Sequence, residues 1–141
     1  MKIPTEFPKT MPQSFPFVAA NGNATAKIYR TTHEAQSRAI EAAKQGMRSA
    51  DLDAVAREYI RTSGYEKYFR HSLGHGLGLQ IHEAPRISVM STSTLESGNV
   101  VTIEPGIYIP GFGGVRIEDD VVIRNAHCEV LNRSPKELIV L

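Results

Sequence analysis

The chain has 141 residues, with 16 Lys and Arg against 15 Asp and Glu, a formal net charge of +1. That balance leaves no electrostatic footprint for nucleic acid or a membrane surface, and a single cysteine, Cys128, excludes an internal disulfide. The length and a 41% hydrophobic share suit one domain with a buried core, and no apolar run approaches the ~18 residues of a membrane span.

Residues 1–24 differ in composition from the rest. Pro4, Pro8, Pro12 and Pro16 recur every four residues, a density that excludes helix and disfavours a central strand. An extended or disordered leader is expected there, ending at the turn signal Asn21-Gly22. With one Lys and no apolar run, this N-terminus does not read as a signal peptide. A cytoplasmic protein is the expectation, and the lone cysteine fits it.

Residues 25–141 read as one folded unit. A helix is predicted from about residue 24 to 44, where Ile28, Ala35, Ala39 and Ala42 keep one face apolar. Gly46 would stop it. Ser49 reads as the N-cap of a second helix, with Asp51 in its first turn. Leu52, Val55, Ala56, Tyr59 and Ile60 then mark one helical face, and Gly64 would end it.

Beyond Gly64 the period changes. Val100-Val101-Thr102-Ile103 is a β-branched run, and Gly106-Ile107-Tyr108-Ile109 would continue it past a kink at Pro105. Val115-Arg116-Ile117 and Val121-Val122-Ile123 read as a further strand with a bulge at Asp119-Asp120. Gly111, Gly113 and Gly114 supply a hairpin. Glu129-Val130-Leu131 and Leu138-Ile139-Val140 are expected as short closing strands. Helices precede strands instead of alternating with them, so the predicted class is α+β.

Three of the five histidines, His71, His75 and His82, fall within twelve residues, with Gly74, Gly76 and Gly78 among them. Glycine there lets backbone approach a ligand closely. The spacing is not that of a helical zinc protease, because Glu83 is followed by Ala84-Pro85-Arg86. Glu104 ends an apolar run, where a carboxylate is costly unless a metal or cation neutralises it. Glu118 repeats the pattern after Val115-Arg116-Ile117, whereas Asp119 and Asp120 suit a solvated acidic turn. One histidine with two glutamates makes an oxygen-rich donor set suited to Mn²⁺, Co²⁺, Fe²⁺ or Zn²⁺.

At these residues the chain resembles the pita-bread metallopeptidases, in particular the Xaa-Pro dipeptidase (prolidase) and aminopeptidase P branch. Three segments carry the resemblance: His71 to Glu83, Thr102 to Tyr108, and Gly114 to Asp120. His75 and Glu104 lie 29 residues apart and Glu104 and Glu118 lie 14 apart, in the order and spacing of that family. The resemblance implies half of a pita-bread fold, with two helices packed on a curved, mainly antiparallel sheet. It implies His75 and Glu104 as ligands of one metal and Glu118 as a bridge between two. His71 and His82 would line the substrate site, and Arg116 would stand behind the carboxylates. In such enzymes a bridging hydroxide attacks the carbonyl preceding proline in an Xaa-Pro peptide.

The family also brings two aspartate ligands ahead of the first helix, and this chain has no aspartate before Asp51. At most one ion is therefore expected on this chain, with little or no turnover alone. Self-association, or another chain supplying the missing half, is expected as well. The alternatives are a non-catalytic module of the same fold and an oligomer scaffold in which metal has no part.

Overall fold

The computed structural model describes residues 22–138. Most of the expected leader, residues 1–21, lies outside the described residues, as do residues 139–141. Helix α1 is Gly22–Ala42 and α2 is Ser49–Thr62; a single 3₁₀ turn, Glu66–Tyr68, follows. Seven strands come next: β1 Gly74–Gly76, β2 Glu83–Ile87, β3 Val100–Ile103, β4 Gly106–Ile109, β5 Gly113–Arg116, β6 Asp119–Ile123 and β7 Cys128–Val130. This is the expected α+β architecture, two helices on a mainly antiparallel sheet.

Helix α1 begins two residues ahead of the predicted start. Ile28, Ala35, Ala39 and Ala43 are buried along one stripe, and α2 answers with Leu52, Ala56 and Ile60. The alanines let the two helices approach closely, and full burial of Leu52 or Ile60 is worth roughly 1.5–3 kcal/mol each. Thr31 and Thr32 return their hydroxyls to the carbonyls of Lys27 and Ile28, so no polar hydrogen is stranded on the buried face. Gln36, also buried, donates to the Ile103 carbonyl at 3.1 Å and ties α1 to the end of β3.

The start of α2 departs from the sequence expectation. Arg48 occupies the N-cap position without a side-chain cap, and Ser49 is the first helical residue. The Ser49 hydroxyl is taken instead by Ser93 at 2.8 Å, because the segment that follows β2 runs alongside. The other end is as predicted. Gly64 adopts φ +86°, with Gly64 N–H donating to Arg61 and Tyr65 N–H to Ile60, the paired closure that an αL glycine permits.

The main sheet has the order β2-β1-β3-β6-β7, with every neighbour antiparallel, and β4 and β5 form a separate two-stranded sheet. The chain therefore changes sheets at Glu104-Pro105 instead of kinking within one strand. It changes back at Ile117-Glu118. Asp119 and Asp120 are not a bulge or a solvated turn: they open β6 and are buried. The cause lies downstream, where Lys136 pairs with Asp119 at 2.8 Å and Asn132 accepts the Asp120 N–H. β1 and β2 are strands that the sequence did not announce. The closing strand expected at residues 129–131 is observed as β7, and the one at 138–140 falls largely outside the described residues.

Candidate functional site

The strand register explains the spacing of the two glutamates. Ile103 pairs with Asp119 in the main sheet, and Gly106 pairs with Arg116 in the small one. Both pairs belong to one antiparallel register, which carries Glu104 opposite Glu118 where the chain passes between sheets. Ile117 N–H donates to the Pro105 carbonyl across the same junction, at 3.3 Å. Like charges at opposed positions repel. Accordingly the Glu118 carboxyl is pushed above its ordinary value, first by burial and then by Glu104, with Arg116 opposing.

β1 brings the histidine in. Gly76 pairs with Val101, and a side chain on Gly74 would overlap the Thr102 carbonyl, so only glycine allows β1 this close to β3. His75 N–H donates to the Thr102 hydroxyl at 3.1 Å, and that hydroxyl donates to Glu104 Oε1 at 2.9 Å. His75 Nδ1 lies 3.0 Å from the Gly76 carbonyl. A carbonyl can only accept, so Nδ1 carries the proton of the neutral ring and Nε2 presents a lone pair. Nε2 stands 3.1 Å from Glu104 Oε1. Two acceptors facing each other at that distance call for a proton or a cation between them. Two donors about 2.1 Å from one ion and at right angles to each other would stand about 3 Å apart. The pair therefore fits a divalent ion in donor type and in separation.

The third expected ligand is joined differently. Arg116 Nε lies 3.7 Å from Glu104 and 3.6 Å from Glu118, a half-exposed cation between the two carboxylates. Among the described residues, no three His, Cys, Asp or Glu side chains stand together as a metal cage. The structure thus brings His75 and Glu104 into contact and places Glu118 across Arg116 from Glu104.

His71, His75, His82, Glu104 and Arg116 line one cleft of about 710 Å³. The His82 ring meets that of His75 edge-on, with centroids 4.4 Å apart, and is otherwise exposed. His71 is wedged between Phe69 and Tyr108, at 5.0 and 5.7 Å. Its Nδ1 donates to the Ser72 carbonyl at 2.9 Å, while Nε2 is buried without a hydrogen-bond partner. Gly106 lies so close to that nitrogen that a side chain there would crowd it.

Two contributors escaped the sequence reading. Thr102 links His75 to Glu104. It stands two residues before Glu104, and the period of a strand puts both on one face; that signal was available. Asp120 is the other. Its carboxyl is raised, chiefly by burial, and it feels both His75 and Glu104.

A family model described as metallopeptidase family M24 matches residues 13–125. The chain is 55% identical over 113 residues to an Xaa-Pro dipeptidase of Pyrococcus furiosus, covering 80% of this chain and 32% of that protein. It superposes on the structure of an Xaa-Pro dipeptidase from Bacillus anthracis with a TM-score of 0.85 and 49% identity, covering 88% of this chain and 35% of that one. For an X-Pro aminopeptidase from Thermotoga maritima the TM-score is 0.81 at 44% identity, covering 85% and 34%. The chain spans about a third of the length of the relatives it matches.

Proposed function

Because this chain belongs to metallopeptidase family M24, we propose that it forms the C-terminal half of an Xaa-Pro peptidase catalytic domain, acting on the bond that precedes proline. The observation that carries this reading is the His75 Nε2 and Glu104 Oε1 pair at 3.1 Å, with Glu118 opposite Glu104 in the strand register. His75, Glu104 and Glu118 would hold one divalent ion, with Mn²⁺, Co²⁺, Fe²⁺ or Zn²⁺ all compatible with the donor set. When bound, such an ion supplies a Lewis acid and a water acidified toward neutral pH.

The remaining roles belong to side chains of this chain. The Thr102 hydroxyl orients the Glu104 carboxylate by donating to Oε1. Arg116 offsets the charge of both glutamates. His82, at the exposed edge of the cleft, would donate to a substrate carbonyl, and His71 lines the same cleft. The two aspartates that would complete a dinuclear site come from a different polypeptide segment, since a second copy of this chain lacks them as well, and self-association into a homo-oligomer would cover the sheet edge of the half-domain. The working compartment is the cytoplasm.

Calorimetric titration with Mn²⁺, paired with hydrolysis of an Xaa-Pro dipeptide over a range of protein concentrations, tests this. Binding of one ion that disappears in Glu104→Gln is expected, with weak turnover at most by the chain alone. Absence of any Mn²⁺ heat in the wild-type protein would remove the metal site from the reading. Binding without hydrolysis at any concentration would leave a metal-holding module in place of an enzyme.

A further inference from the structure

The proposed chemistry leaves the ion pair of Asp53 and Arg57 unused. Asp53 on α2 is fully buried, and Arg57, one turn on, grips it with two bonds, at 2.6 and 3.0 Å. An isolated pair of this kind contributes little net stability, because desolvation offsets the attraction. This pair is not isolated, since its remaining capacity goes to one stretch of chain. Arg57 donates to the Phe69 carbonyl at 3.0 Å and to the His71 carbonyl at 2.9 Å, and its guanidinium lies over the Phe69 ring at 4.2 Å. Asp53 Oδ1 accepts the Leu73 N–H at 3.0 Å. Three backbone groups within five residues are thereby held by two side chains of one helix.

That stretch leads directly into the site. Phe69 and Tyr108 flank His71, and the Leu73 carbonyl accepts the Glu104 N–H at 2.8 Å. Gly74 then starts β1, which carries His75. We infer that the Asp53–Arg57 pair is a positioning element. It sets the Phe69-to-Leu73 segment, hence the orientation of His71 and, through the Leu73 carbonyl, the main chain of Glu104. Neither residue lies on the cleft that holds His75 and Glu104, so both act through other groups. The planar fork of arginine is required, because it makes four bonds at once, two to a carboxylate and one to each carbonyl, and an ammonium has only three hydrogens to donate.

The inference rests on the proposed site in taking His71 and Glu104 as its parts, but its test needs no turnover. Arg57→Lys in the full chain keeps a cation beside Asp53 and removes the fork. Expected are displaced ring signals of His71 in NMR spectra, shifted amide signals of Leu73 and Glu104, and unchanged amides in β7. Hydrogen exchange at the Leu73 amide should quicken on the order of ten- to hundredfold, the factor that loss of a bond to a charged group corresponds to. Arg57→Gln, which also leaves Asp53 unpaired, should show the same pattern more strongly where it folds. Unchanged His71 and Glu104 signals in folded Arg57→Lys would overturn the inference. So would an Arg57→Lys protein that does not fold, since a positioning element leaves the fold standing. A wild-type chain that neither binds Mn²⁺ nor hydrolyses peptide defeats the functional reading, while these spectra still decide the positioning role.

Discussion

Two acidic regions of this molecule, one fully buried and one half-buried, are built on opposite plans. At Asp53 every charge has its partner: a bidentate arginine, a backbone N–H, and two carbonyls that use the rest of the guanidinium. At Glu104 and Glu118 two carboxylates are opposed across a sheet junction, and a half-exposed arginine stands 3.6 to 3.7 Å from each. His75 Nε2 faces a carboxylate oxygen at 3.1 Å. The first arrangement removes all electrostatic demand. The second sets like charges against each other. The fully buried carboxylate is thus bonded on every side by its own chain, while the less buried pair stands carboxylate against carboxylate.

The largest effect that would break this comparison is at Asp53. Asp53→Ala strips Arg57 of its carboxylate and leaves the Leu73 N–H without an acceptor. A loss of about 3 kcal/mol is expected, the lower end for breaking a buried pair, because Arg57 keeps its two carbonyl partners. The urea midpoint of the metal-free chain measures it. A loss well under 1 kcal/mol would mean that the satisfied plan contributes nothing to holding the fold.

Glu118 should behave in the opposite sense. Its carboxyl is held above the ordinary glutamate value by burial and by Glu104, so the folded state binds its proton more tightly than the unfolded state. Stability from that proton is present below the ordinary value and is lost as pH rises through the raised one. Glu118→Gln keeps the shape without the charge. It should match the wild type near pH 4 and be modestly more stable near pH 7, while its Mn²⁺ binding weakens. Equal or lower stability of the variant at both pH values would remove the contrast with Asp53.

The sequence made the elements near the helices readable and hid those that depend on distant chain. Ile28, Ala35, Leu52 and Ile60 showed both helices through local period, and Gly64 marked a true end. The β-branched run at Val100 to Ile103 showed β3. β1 stayed hidden because Gly74-His75-Gly76 has no strand propensity; it is a strand only because β3 lies beside it. Asp119 and Asp120 read as solvated because Lys136 and Asn132, which satisfy them, arrive after a further turn and strand. In the site, residue type and spacing pointed to His75, Glu104 and Glu118. That Glu104 and Glu118 oppose each other needed the register, and the role of Asp53 needed its burial, which no residue near it reveals.

The smallest expected effect serves as the control for the whole comparison. Arg124 and Glu129 make an ion pair of 2.7 Å, as short as the bonds at Asp53, with both side chains about half exposed. Water solvates either charge when the other is removed, so Glu129→Ala should change stability by no more than about 0.5 kcal/mol. Mn²⁺ binding should be untouched, because the pair spans the end of β6 and β7, the strand farthest in the sheet from β1 and β2. If Glu129→Ala cost as much as Asp53→Ala, distance alone would set the worth of these pairs. A null result leaves burial and complete bonding together as what distinguishes Asp53 from an exposed pair of the same length.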